Sequence, residues 1–392
     1  MTKFTPADWL MVVVATVSAT FIGMIFTTVA PVLPAIAIDF GGGEYGAFVA
    51  RWLLTAPSIG VVIGGPVSGW FIERFGTRLV LGVCLFVFAL AGISVLFIDS
   101  VALLFFCRFL VGLTAVGQLT ATVSIVGERY SSEMRGRIVG LQTAFAVAGS
   151  VIVVVSSGRL AELGNWRTPS FLYTAAIPVL CACLVLFKPV QHGERLGLAG
   201  NSKGLVKLVP TFVMVAVTMM VSFIPLNQTP LLLTADGITS PSTIAMVMGS
   251  ASVAMAFGAF SYGRVRRRFG TRGTLSIALS ILSIGLAELS FLHGIAGMVA
   301  ANVVLGLGGG FLTPLFGHHI LDTAPPAIRG KAVGFMFAAQ FVGPILYSAL
   351  IAPVAIVVGP RIAIVSIAAA LAVWVLGLFR GAFGRNISPH SV

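Results

Sequence analysis

The chain has 392 residues, of which 58% are hydrophobic and only 9% charged, with a formal net charge of +12 and a mean hydropathy of +1.05. A soluble domain carries roughly 25% charged residues, so this chain cannot cover a water-facing surface. Its long apolar stretches lack the alternation of barrel strands and predict an all-α bundle in lipid, where a span needs about 20 apolar residues.

Twelve spans are expected. The first, 9–32, is too long for a cleavable signal peptide and carries Thr16, Thr20 and Thr27 without a carboxylate. The second, 48–71, runs into a charged loop, Gly69 to Arg78. Spans 79–98 and 101–126 form a tight hairpin, the latter holding Arg108, Gly112 and Gln118. Spans 137–158, with Gln142, and 168–188 complete a first bundle at 1–188. A Gly-, Asn-, Ser- and Lys-containing linker at 189–208 leads to a second bundle at 209–392. There 209–233 carries Asn227 and Gln228, 242–263 follows, and 273–292 carries Glu288. Span 295–320 carries Asn302 and Thr313, 331–353 carries Gln340 and Tyr347, and 358–380 is last. Asn227-Gln228-Thr229 fits a glycosylation sequon but lies in an apolar run, where no acceptor loop exists. Cys84, Cys107, Cys181 and Cys183 show neither metal spacing nor a disulfide framework and read as packing residues. No cofactor, metal or nucleic-acid partner is expected.

An even number of spans puts both termini on one side. That side holds 19 of the 24 basic residues, while the opposite side has only Arg51, Arg159, Arg167 and Arg361, with Arg108 inside a span. The positive-inside rule places the termini in the cytoplasm.

The halves repeat at a constant offset of 194 residues. It pairs Phe75-Gly76-Thr77-Arg78 with Phe269-Gly270-Thr271-Arg272, and Pro31 with Pro225. It also pairs Gly64 with Gly258, Gly112-Leu113 with Gly306-Leu307, Arg135-Gly136 with Arg329-Gly330, and Gly149 with Gly343. Ungapped matches of this extent predict two parallel six-helix repeats with a substrate site at their interface.

The pattern Gly69-x-x-x-Glu73-Arg74-x-Gly76-x-Arg78 after the second span resembles the signature loop of the major facilitator superfamily, and its second copy ends at Arg272. The Arg135-Gly136 and Arg329-Gly330 pairs resemble the openings of that family's fifth and eleventh spans. Arg108-x-x-x-Gly112 resembles a motif of its drug:proton antiporters. The resemblance implies a conformational latch of Gly69, Glu73, Arg74, Gly76, Arg78 and Arg135, in which Glu73 meets the helix starting near Lys331. It also implies a proton-linked role for Arg108. Two departures stand out: Glu73 replaces the usual Asp, and Arg267 replaces the acid in the second copy. Gly149-Ser150 stands where antiporters typically show Gly-Pro, although the second half keeps Gly343-Pro344.

Physically, Gly69 permits two helices to approach closely and Gly76 permits the turn. A charge deep in a span costs roughly 3 kcal/mol on insertion scales, so Arg108 faces a wet cavity or a partner, or else snorkels. Arg108, Gly112, Ala115 and Thr122 share one helical face, matched by Asn302, Gly306, Gly309, Thr313 and Gly317. Gln118, Gln142, Asn227, Gln228, Gln340 and Tyr347 are further cavity candidates. Glu288 is the acid well inside an apolar run and a candidate proton carrier; His318 and His319 read as interfacial anchors. The expectation is a secondary transporter in a bacterial inner membrane, working as a monomer by proton-coupled export of small amphipathic molecules. The alternatives are a transporter of a polar metabolite and a membrane receptor or scaffold. No nucleophile–base pair, metal cluster or phosphate loop points to an enzyme.

Overall fold

The computed structural model describes residues 6–130, 132–186, 203–325 and 328–383, all in helices and short connections, without a strand among them. Helix α1, Pro6–Thr27, continues through a 3-10 turn, Ala30–Val32, into the short helix Leu33–Asp39. The first half continues with α2 (Gly43–Phe75), α3 (Thr77–Ser94), α4 (Val101–Arg129), α5 (Ser132–Leu163) and α6, a 3-10 run Thr168–Ala175 leading into Ala176–Leu186. The second half opens with α7, split into Val209–Ser222 and Ile224–Ala235. Helices α8 and α9 form one helical run, Pro241–Phe291, folded at Gly270. Then come α10 (Gly294–Thr323), α11 (Arg329–Leu346, a π turn Tyr347–Ile351, then Ala352–Val358) and α12 (Pro360–Phe383). Counting the folded run as two, the described residues hold twelve membrane-length segments, as expected. The linker between the halves lies mostly outside the described residues.

The helices are apolar on most of their circumference because lipid, not water, solvates them. Close approach therefore depends on small residues. A Cβ on Gly112 would lie 1.9 Å from the Pro57 carbonyl oxygen, and one on Gly306 2.2 Å from that of Ala251. Likewise Gly64 abuts the Leu113 carbonyl and Gly258 that of Leu307. Each pair of contacts is related by the 194-residue offset, so the halves repeat in packing and not only in sequence. The turns agree: Gly76 (φ 82°) and Gly270 (φ 68°) both adopt left-handed backbone open to glycine. A further matched pair, overlooked in the sequence, is Arg167 and Arg361. Arg167 donates to the Ile98 carbonyl and Arg361 to that of Leu292 (3.0 Å), capping the ends of α3 and α9. Arg167 also pairs with Asp99 at 2.9 Å, and Arg361 with Asp236 at 3.0 Å.

Both repeats bend the first helix at the same place. Pro31 and Pro225 follow breaks at Val29 and Phe223. The cysteines are free; Cys84, Cys107 and Cys183 are buried as packing residues are, whereas Cys181 is exposed and does not pack as expected.

Candidate functional site

The halves meet along α2–α11 and α5–α8. Thr55 and Ser348 share a hydrogen bond of 2.6 Å, and one turn away the buried Arg51 donates from Nη1 to the Ala352 carbonyl at 3.1 Å. Between α5 and α8, Gly158 lies against Ala245, and Gly249 against Val154 and Val155. Glu162 accepts from the Ser240 and Ser242 hydroxyls at 2.5 and 2.7 Å. Phe26 of α1 stacks between the halves, 5.1 Å from Phe223 and 6.1 Å from Phe341. All these bridges lie toward the end of the bundle away from the Gly76 and Gly270 turns.

At the turn end the same helices are apart. A Cβ on Gly69, Gly140, Gly263 or Gly334 would meet no described residue within 4 Å. Leu141, Phe145, Phe335 and Phe337 are exposed. The expected close approach at Gly69 is thus not made in this arrangement; α2 makes its close contacts at Gly60 and Gly64, against α4. Glu73 is exposed and has no ion pair or hydrogen bond among the described residues. Arg74 stacks over Trp70 and Phe75, and Arg78 donates to the Leu184 carbonyl at 2.8 Å. The side chain of Arg135 lies outside the described residues.

Arg108 is 3% exposed and turned neither to lipid nor to an open cavity. Its partners follow from the prolines. Pro57, inside α2, has no N–H to give the Leu53 carbonyl one turn back. In α1 the break turns the Val29 N–H to the Phe26 carbonyl (3.1 Å), so the Ile25 carbonyl loses its helical donor. Within a bilayer each such orphan costs several kcal/mol. Arg108 serves both: Nε donates to Leu53 O at 3.0 Å and Nη2 to Ile25 O. Nη1 donates to the Tyr173 hydroxyl at 2.6 Å, which donates in turn to Thr28 Oγ1 at 2.9 Å. Ser157 caps the carbonyl of Thr28, orphaned when the Val32 N–H turns to Val29. In the second half Ala251 replaces Pro57 and keeps its N–H, and the Phe223 N–H still reaches Met219 O at 3.0 Å. There Asn302 suffices, donating to Met298 O at 2.8 Å and Thr229 Oγ1 at 3.1 Å.

Most other cavity candidates are also ties. Thr16 and Thr27 donate to carbonyls one turn back in α1, Thr20 to Phe145 O, Gln118 to Cys84 O and Gln142 to Ala15 O. Gln228 Nε2 donates to the buried Tyr347 hydroxyl at 2.7 Å. Among the described residues, unused valences remain on Gln118 Oε1 in α4, on Asn227 Oδ1, Gln228 Oε1 and Gln340 Nε2 in α7 and α11, and on one carboxylate oxygen of the half-buried Glu288. Thr313 and His318 are exposed on α10, His318 stacked 5.4 Å from Tyr262. Residues 51, 55 and 348 were missed as site members. Their signal was Arg51 standing on the arginine-poor side with Thr55 one turn further.

The sequence profile of the Major Facilitator Superfamily matches residues 15–237 and 211–391. The chain belongs to that superfamily. Multidrug resistance protein 1 of Bacillus subtilis (strain 168) is 23% identical over 318 residues, 78% of this chain and 79% of that protein. The arabinose-proton symporter of Escherichia coli (strain K12) is 28% identical over 179 residues, 45% of this chain; the match spans 37% of the symporter's length. Among solved structures, the nucleoside transporter NupG superposes with a TM-score of 0.76 at 14% identity, covering 96% of this chain and 99% of that one. A D-xylose-proton symporter gives 0.69 at 18% identity, covering 93% and 97%. The chain is a multi-pass membrane protein with the fold of that superfamily.

Proposed function

We propose that this protein works by alternating access as a proton-coupled exporter of small amphipathic molecules, acting as a monomer in a bacterial cytoplasmic membrane with both termini inside. The observation that carries the reading is the wedge between the halves, joined at one end and parted at the other. The registers of the joined ends extend to the parted ones. From Thr55–Ser348, fourteen residues along α2 and fourteen back along α11 bring Gly69 opposite Gly334. From Gly158–Ala245, eighteen residues along each helix, five turns at 3.6 residues per turn, bring Gly140 opposite Gly263. Rocking about the centre would exchange the existing seam for one of glycine on glycine, which lets backbones close tightly.

The site chemistry supports neutral or anionic cargo. The unused amide atoms of Asn227, Gln228 and Gln340 offer hydrogen bonds, and the α1 face brings threonines rather than a carboxylate. Likeness to a multidrug resistance protein favours export; likeness to sugar symporters favours the second reading, a polar metabolite.

The experiment pairs transport with cross-linking. In proteoliposomes an imposed pH gradient should drive flux of a neutral or anionic compound. Gly69→Cys/Gly334→Cys and Gly140→Cys/Gly263→Cys should cross-link during turnover and stop it, while Thr55→Cys/Ser348→Cys links the other end. If the two distal pairs never link under any condition, alternating access about this centre is wrong. If they link but no pH gradient moves cargo, proton coupling alone falls.

A further inference from the structure

The turn between α8 and α9 carries more positive charge than topology requires. Five arginines fall within nine residues, Arg264 to Arg272. The first-half turn is an internal control. At the positions matching Arg264, Arg266 and Arg267 it has Trp70, Ile72 and Glu73, and it keeps only Arg74 and Arg78. Replacing the acid also removes the latch chemistry from this copy, so the additional arginines answer to something else.

Arg266 is neutralised by Asp322 at 2.5 Å. Arg264, Arg267, Arg268 and Arg272 are exposed and have no carboxylate partner among the described residues. Two of them are held in place by rings: Arg264 lies over Phe260 at 5.3 Å, and Arg268 over Phe269 at 5.6 Å. Phe260 is 76% exposed near the end of a membrane-length helix. A guanidinium stacked on that ring sits at headgroup depth, with its remaining donors turned outward. Arginine's planar fork matches phosphate oxygens in pairs.

We propose that this patch is a binding site for the phosphate of an anionic phospholipid, seated at the end of α8 and α9 on the same side as the termini. It acts as a lipid anchor for the second half that the first half lacks. The site rests on membrane embedding alone and not on the transport reading.

The test is thermal unfolding of the purified full chain in a neutral detergent, titrated with phosphatidylglycerol, phosphatidylcholine or inorganic phosphate. Phosphatidylglycerol should raise the melting temperature saturably, and the other two should not. Removing arginines in the set Arg264→Gln, Arg267→Gln, Arg268→Gln and Arg272→Gln should weaken the apparent affinity about fivefold for each one removed. Arg267→Glu, which restores the first-half residue, gives a milder variant if the fourfold change fails to fold, and it should weaken binding at least as much as Arg267→Gln. The control Arg74→Gln/Arg78→Gln should leave the lipid response intact. An equal loss in the control, an unchanged response in the α8–α9 variants, or full reproduction by inorganic phosphate would overturn the site.

Discussion

The sharpest test of how this protein is held together is the pair Arg108 and Pro57. Arg108→Asn removes the donors of two buried carbonyls, Leu53 and Ile25, and of the Tyr173 hydroxyl. An unsatisfied buried acceptor costs about 1–3 kcal/mol, so the two carbonyls together predict a loss of about 2–6 kcal/mol. Asparagine is what the second half uses, but that half keeps N–H donors on both matching carbonyls. Pro57→Ala restores the missing N–H to Leu53 and relieves one of the two orphans. In the wild-type background it brings no such gain, because Arg108 already serves that carbonyl. In the Arg108→Asn background it should recover about 1–2 kcal/mol, a coupling energy of the size seen between residues sharing one network. The assay is a double-mutant cycle on reversible unfolding in mixed detergent micelles, with transport measured in parallel. Arg108→Lys refines it: a point charge cannot span carbonyls on two helices as the fork does, so lysine should recover less than half of the loss. Additive single-mutant losses, with no recovery by Pro57→Ala, would refute the reasoning. A rescued double variant that folds but no longer responds to a pH gradient would return a proton-linked role to Arg108.

Two further outcomes follow from the packing. Gly112→Ala and Gly306→Ala both drive a methyl into a backbone carbonyl of the neighbouring helix, so each should lose about 1–3 kcal/mol or more in a thermal melt; Gly69→Ala, with open space in this arrangement, should melt near wild type yet slow transport. Ser348→Ala removes one of the bonds joining the closed end, worth about 1 kcal/mol, and should shift the balance of arrangements about fivefold toward opening there, read as faster labelling of a cysteine introduced at the buried Ala352, whose carbonyl keeps its bond to Arg51.

The sequence alone carried the number of spans, the two halves and the family, because those rest on what water and lipid forbid. Too few charges for a wet surface, a 194-residue offset held without gaps, and glycines at Gly76 and Gly270 leave one architecture. It also found Arg108 as the odd charge in a span, and the asymmetry with Asn302. What it could not supply was the orientation of each polar side chain about its helix. Thr16, Gln118 and Gln142 lie on faces that could have lined a cavity, and only packing decided that the two glutamines tie helices together while Thr16 turns back to the Val12 carbonyl of its own helix. Nor could one chain order reveal that Val29 turns its N–H away from Ile25, or that Arg51 reaches across to Ala352. The first is a local backbone choice made under the packing around it, and the second joins residues 301 positions apart, where a carbonyl's need for a donor is settled by which side chain the fold brings near 3 Å.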